Sequence, residues 1–150
     1  AFVFLNCSIK NRRKTHKKTV YICGKNPLVI RQSAFLRYVA KLIQFAHSKG
    51  YLVTGGELYR TKAQQEIYIK GGLSTTYNSW HLKRLAIDLN FFKPCKSKKY
   101  ILTYKRADLE QFGEYWESLN ENNVWGGYWK KFRDTTHFET NFLPPLNKSK

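Results

Sequence analysis

Methionine is missing from this 150-residue chain, cysteine is scarce, and acidic side chains are few. Without methionine the initiating residue is gone, and a removed leader and a removed initiator are both left open. The apolar opening Phe2-Val3-Phe4-Leu5 is too short for a signal-peptide core and is expected to form a strand. No apolar run approaches the roughly 18 residues of a membrane-crossing helix, so no transmembrane segment is expected. The three cysteines, Cys7, Cys23 and Cys95, lack metal-motif spacing, and an odd number cannot all pair within one chain. Buried structural thiols made in a reducing compartment are the expectation. Internal repeats and low-complexity linkers are also lacking, which points to a single domain over residues 1–150, with a basic N-terminal extension over 1–30.

The shortage of acids leaves 10 against 27 basic residues and a net charge of +17. Such a field draws a protein to polyanions: nucleic acid, anionic lipid or the acidic polymers of a bacterial envelope. Basic residues crowd Lys10 to Lys18 and Lys93 to Lys99, although a charge run by itself is most often a solvated loop. What is plentiful is apolar and aromatic content, at 42% and 16%, which excludes a disordered chain and allows a real core.

The patterning predicts mixed elements. Val20-Tyr21-Ile22 is expected as a second strand. Ser33 is expected to cap a helix whose apolar side is Phe35, Leu36, Val39, Leu42, Ile43 and Ala46, ending at Gly50. Tyr51 to Thr54 follows as a strand. Thr61 and Gln64 form a capping box for a helix stopping at Gly71-Gly72. A polar loop leads to His81, and Leu85 to Phe91 alternates as a strand with Leu85, Ile87 and Leu89 on one face. Ala86, Asp88 and Asn90 lie on the other. Tyr100 to Tyr104 is expected as a strand, and a helix with Leu109, Phe112, Trp116 and Leu119 as ending near Asn122-Asn123. Thr136 to Thr140 closes the series, with His137 and Glu139 on one face and Phe138 in the core. Without regular βαβ alternation, this order predicts an α+β fold: a small antiparallel sheet flanked by helices.

The candidate chemistry lies in SWHLKRLAIDL, Ser79 to Leu89, and DTTHFE, Asp134 to Glu139. His81, Asp88 and His137 are donors that suit zinc, and a two-His, one-Asp set leaves a tetrahedral position open, as in catalytic sites. Water there would have its pKa lowered to about 7. Asp134, three residues before His137, is placed to take and pass on a proton. Arg60 can bind a carboxylate or steady an oxyanion. Each has a plainer reading: Asp134 as a turn cap, Arg60 as a partner of Glu57 or Glu66, Glu139 as an exposed acid. Gly126 and Gly127 can simply shape a turn, and Trp125 and Trp129 are expected to pack rather than to face a ligand.

Ser79-x-His81 followed by Ala86-x-Asp88 resembles the SxHxxGxAxD signature of the M15 zinc peptidases. That family includes D-Ala-D-Ala carboxypeptidases, dipeptidases and the L-alanyl-D-glutamate endopeptidases of phage endolysins. Trp125-Gly126-Gly127 with Asp134-x-x-His137-Phe138-Glu139 looks like its second motif. Glu57-x-x-Arg60-Thr61 with Gln65, and Gly72-x-Ser74 before Asn78-Ser79, resemble the pattern between them. The match runs from about residue 35 to residue 139. It implies zinc held by His81, Asp88 and His137, with Asp134 as acid/base, Arg60 assisting and Ser79 in support; Glu139, read from the residues, is either a supporting partner of a ligand histidine or an exposed acid. It also implies the hedgehog/DD-peptidase-like fold. Arg84 departs from the signature, which has Gly there; if positive φ is needed, Arg is strained.

The expected activity is therefore hydrolysis of peptidoglycan stem peptides, with L-alanyl-D-glutamate as first choice and D-Ala-D-Ala carboxypeptidase as alternative. The protein would be made in a bacterial host's cytoplasm, act at the wall or periplasm as a monomer, and be held there by anionic envelope polymers. A non-catalytic hedgehog-like zinc domain and a basic nucleic-acid-binding protein are the readings from other classes; the second leaves both motifs as coincidence.

Overall fold

The computed structural model describes residues 27–141. The strands expected at Phe2 to Leu5 and Val20 to Ile22, the basic run Lys10 to Lys18, and Cys7 and Cys23 lie outside them. Helix α1 is Pro27–Ser48, β1 Leu52–Gly55, α2 Lys62–Lys70, β2 Ala86–Cys95 and β3 Lys99–Thr103. Helix α3 is Arg106–Ser118, β4 Asn123–Trp125 and β5 His137–Thr140. All strand pairings are antiparallel, and the α+β expectation holds.

The ten-residue β2 organises the sheet. One edge pairs with β1; along the other, Ala86 to Asp88 pair with β5 and Phe91 to Cys95 with β3. Strand β4 lies beyond β5. The register sets Asp88 opposite His137 and Ala86 opposite Glu139. Two residues forty-nine apart in the sequence thereby become cross-strand neighbours.

Helices α1 and α3 cover the sheet. Phe35, Val39, Leu42 and Ala46 form the buried stripe of α1, and Leu109, Phe112, Gly113 and Trp116 that of α3. Phe91 stacks on Phe112 at 4.8 Å between ring centroids, and Phe138 meets Trp116 edge-on at 5.8 Å. The Trp116 indole N–H donates to the carbonyl of Glu139 (3.1 Å), so a fully buried side chain also fixes the strand that carries His137. Truncating such a residue costs about 3–5 kcal/mol.

Four expectations need correction. Helix α1 already runs from Pro27 among the described residues, so Ser33 lies inside it and caps nothing. Helix α3 stops at Ser118, because Asn123 to Trp125 pair with β5 as a strand too short to show alternation. Leu36 is half exposed rather than part of the buried stripe. Cys95 is only partly buried, because β2 leaves the core before it ends. Elsewhere the reading holds: Gly50 (φ 80) follows α1, and the Thr61 hydroxyl accepts from the Gln64 N–H to cap α2.

Candidate metal centre and cleft

Each donor is delivered by a different local device. Asp88 projects from β2 on the face opposite Leu89, whose side chain is buried. His137 opens β5 directly across the ladder. His81 sits in a one-turn 3-10 helix, Trp80–Lys83, rather than in an irregular loop. Ser79 caps that turn by accepting from the His81 N–H (3.4 Å), and His81 is buried.

The three donors converge. His81 Nε2 lies 3.2 Å from His137 Nδ1 and 3.4 Å from Asp88 Oδ1, while His137 Nδ1 lies 3.2 Å from the same oxygen. Donors held tetrahedrally at about 2.0–2.1 Å from one ion stand roughly 3.3–3.4 Å apart. The spacing therefore fits one small divalent cation, and two nitrogens with one carboxylate oxygen are a suitable set. On its far side the His137 ring meets Glu139 through Nε2 (2.9 Å). That contact fixes the tautomer that frees Nδ1 for an ion. His81 Nδ1 is buried and has no hydrogen-bond partner among the described residues.

Electrostatics agree with the geometry. Burial alone would raise the Asp88 carboxyl, but hydrogen bonds to His137 and His81 hold it below the usual carboxylate range. Burial would lower His137, yet its hydrogen bonds to Asp88 and Glu139 push it up to about 9 from 6.5. A cluster that draws a proton onto an imidazole at neutral pH is a place of concentrated negative potential.

The cluster lines a cleft of about 550 Å³, which also exposes Arg60, Ser79, Trp129, Asp134 and Glu139. Asp134 is a turn cap, as its plainer reading had it: Oδ1 accepts from the Thr136 N–H (3.1 Å) and hydroxyl (2.8 Å). It also faces the cleft, and Oδ2 makes no hydrogen bond among the described residues. The close approach behind it explains Gly126, where a Cβ would lie 2.5 Å from the Asp134 carbonyl oxygen. Gly127 likewise leaves room for the buried Trp125 ring, 2.3 Å from where its Cβ would be. These glycines do more than shape a turn.

Arg60 is mostly buried, not a surface partner. Its Nε donates to Glu57 (2.8 Å), Nη2 to the same carboxylate and Nη1 to Gln65 (2.9 Å), with its guanidinium over Tyr68. Gln65, itself buried, continues to Ser74 (2.8 Å) and the Thr76 carbonyl (2.6 Å) on the cleft wall. Glu66 takes no part in this network.

Sequence reasoning missed two parts of the cleft. Trp129 was expected only to pack, but its ring lies 5.0 Å from that of His137 and borders the cavity. Lys131, Phe132 and Arg133 form an exposed rim, with Phe132 in the left-handed region (φ 56) and 58% exposed. Two cations and an exposed aromatic directly before Asp134 were the available signal. Arg84 also takes a left-handed conformation (φ 53, ψ 41), as feared for that position. For a residue with a Cβ this costs roughly 1–2 kcal/mol.

Two donors on paired strands and a third on the adjoining turn thus border one cleft on an α+β fold. The M15 peptidase model described as D-alanyl-D-alanine carboxypeptidase matches residues 73–140. The L-alanyl-D-glutamate peptidase of Listeria phage A118 is 29% identical over 112 residues, covering 68% of this chain and 35% of that protein. The chain thus spans about a third of the length of that curated relative. The crystal structure of the Serratia marcescens L-Ala D-Glu endopeptidase ChiX has the same fold at 20% identity, with a TM-score of 0.59 over 73% of this chain and 80% of that one. Over these residues the chain is similar to the M15 peptidases.

Proposed function

We propose that the chain is a zinc-dependent peptidase that hydrolyses an amide bond in peptidoglycan stem peptides, with L-alanyl–D-glutamate as the bond. The observation that carries this reading is the meeting of His81, Asp88 and His137 donors within 3.4 Å of one another, in a cleft shared with Asp134. The name of the phage relative supports the choice of bond.

His81 Nε2, Asp88 Oδ1 and His137 Nδ1 would hold the zinc, which when bound supplies Lewis acidity toward the amide carbonyl and makes water a stronger acid. Asp134 serves as acid/base: its Oδ1 is pinned by Thr136, so Oδ2 is the oxygen that accepts a proton and returns it to the leaving amine. Arg60 spends three of its five N–H groups on Glu57 and Gln65, which fixes the guanidinium at the cleft wall. The remaining N–H groups serve a substrate oxygen. Glu139 orients His137, and Ser79 shapes the turn that bears His81. The exposed Lys131 and Arg133 give the cleft a basic rim suited to anionic envelope polymers. The protein then works at the cell wall.

Digestion of purified peptidoglycan by the zinc-loaded protein, with products read by mass spectrometry, tests the reading. Peptides with a free D-glutamate amine, and glycan strands whose stem peptides are cut back to L-alanine, are expected. Release of D-alanine alone would instead assign the carboxypeptidase activity, and no new termini at all would end the peptidase reading.

A further inference from the structure

Arg84 stands between two proposed metal ligands, three residues after His81 and four before Asp88. Its backbone N–H closes the 3-10 turn on the His81 carbonyl (3.2 Å), and its left-handed conformation swings the chain from that turn into β2. The segment Gly56 to Arg60 runs alongside and is tied to both ligands. Gly56 N–H donates to the Asp88 carbonyl (2.7 Å), Asp88 N–H to the Glu57 carbonyl (3.0 Å) and Arg60 N–H to the His81 carbonyl (3.3 Å). Tyr59 belongs to this segment, and the Arg84 guanidinium lies over its ring, 4.1 Å from the centroid. Arg84 does not line the cleft.

We propose that Arg84 is a positioning residue: clamped on Tyr59, it holds the left-handed turn that sets His81 against Asp88 and links both to the segment carrying Arg60. An arginine disfavours this backbone conformation when left to itself, so something beyond the local chain must hold it. The cation–ring contact supplies that hold only when Tyr59 is in place. Glycine would form the turn without help and without reference to Tyr59. With arginine, the ligand turn and the Arg60 segment become ordered together. The inference rests on the metal-site reading above, and the test separates the two.

Zinc affinity is measured on the metal-free full chain by competition with a chromophoric chelator, with thermal unfolding followed in parallel. Arg84→Ala keeps the strain and loses the clamp, and should weaken zinc binding about fivefold. Tyr59→Leu should do the same, and the double variant should lose no more than either alone. Tyr59→Phe keeps the ring face and should bind like the parent. Arg84→Gly removes the need for a clamp and should stay within about twofold of the parent. Parental affinity in Arg84→Ala and Tyr59→Leu, even with lower unfolding temperatures, would overturn the inference. So would additive losses in the double variant, or an Arg84→Gly loss as large as that of Arg84→Ala. A parent that takes up no zinc would overturn the metal-site reading and this inference with it.

Discussion

Asp88, His137 and Glu139 project from paired strands, whereas Arg60, His81 and Asp134 come from turns and connecting segments. The strand-borne group is locked by ladder hydrogen bonds and by Phe138, Trp116 and Phe91 packed beneath. The turn-borne group is held by individual contacts: Thr136 on Asp134, Glu57 and Gln65 on Arg60, Ser79 and Arg84 on the backbone of His81. The difference suits a division of labour. Two of the three donors that must keep a fixed spacing sit on the sheet, and the groups that would meet a variable substrate sit on adjustable chain. His81 crosses the divide, since it is a donor on a turn, and it is correspondingly the most deeply buried of the three.

The sharpest break between the two groups is Asp134→Ala. If Asp134 handles protons and takes no part in holding the ion, hydrolysis should fall about 10²- to 10⁴-fold with zinc still bound at one per chain. Turnover of a synthetic stem peptide and metal content by mass spectrometry decide it. Loss of the metal would move Asp134 into the ligand group and dissolve the comparison; full activity would take proton handling away from Asp134, and a zinc-loaded parent without turnover would favour the non-catalytic, hedgehog-like alternative.

Glu139→Gln sharpens the strand-borne side. The amide keeps the shape but weakens the hydrogen bond that orients His137, and zinc affinity should drop about 10- to 100-fold. A chelator titration measures this. An unchanged affinity would make Glu139 a bystander on the strand.

Legibility followed the same division. The strand-borne residues were readable because a period of two fixes which side chains share a face, so Asp88 and the pair His137 and Glu139 could be oriented from alternation alone. Which strands are neighbours was not readable, because pairing is a long-range choice; β4 went unseen for that reason. On the turn-borne side the motifs marked His81, Asp134 and Arg60, but no local pattern reveals that Gln65 braces Arg60 or that Trp129 lies against His137. Ser33 has the chemistry of a cap, but it lies inside α1, and local sequence does not tell a capping serine from an interior one.

Proton competition gives the gentlest probe of the strand-borne donors. In the metal-free chain His137 carries its proton up to about pH 9, since the Asp88 and Glu139 hydrogen bonds outweigh burial. An ion needs the neutral imidazole, so binding must expel that proton, and affinity should climb about tenfold per pH unit between 7 and 8. The stability of the metal-free fold should move the other way. Its folded His137 titrates near 9 against 6.5 unfolded, so the stabilisation is complete below about 6.5 and is lost as pH rises through 9. Thermal unfolding of the chelator-treated protein should therefore shift downward across that window, while added zinc protects more strongly at its alkaline end. Parallel slopes for stability and zinc affinity would mean that the proton and the ion do not compete for the same nitrogen of His137.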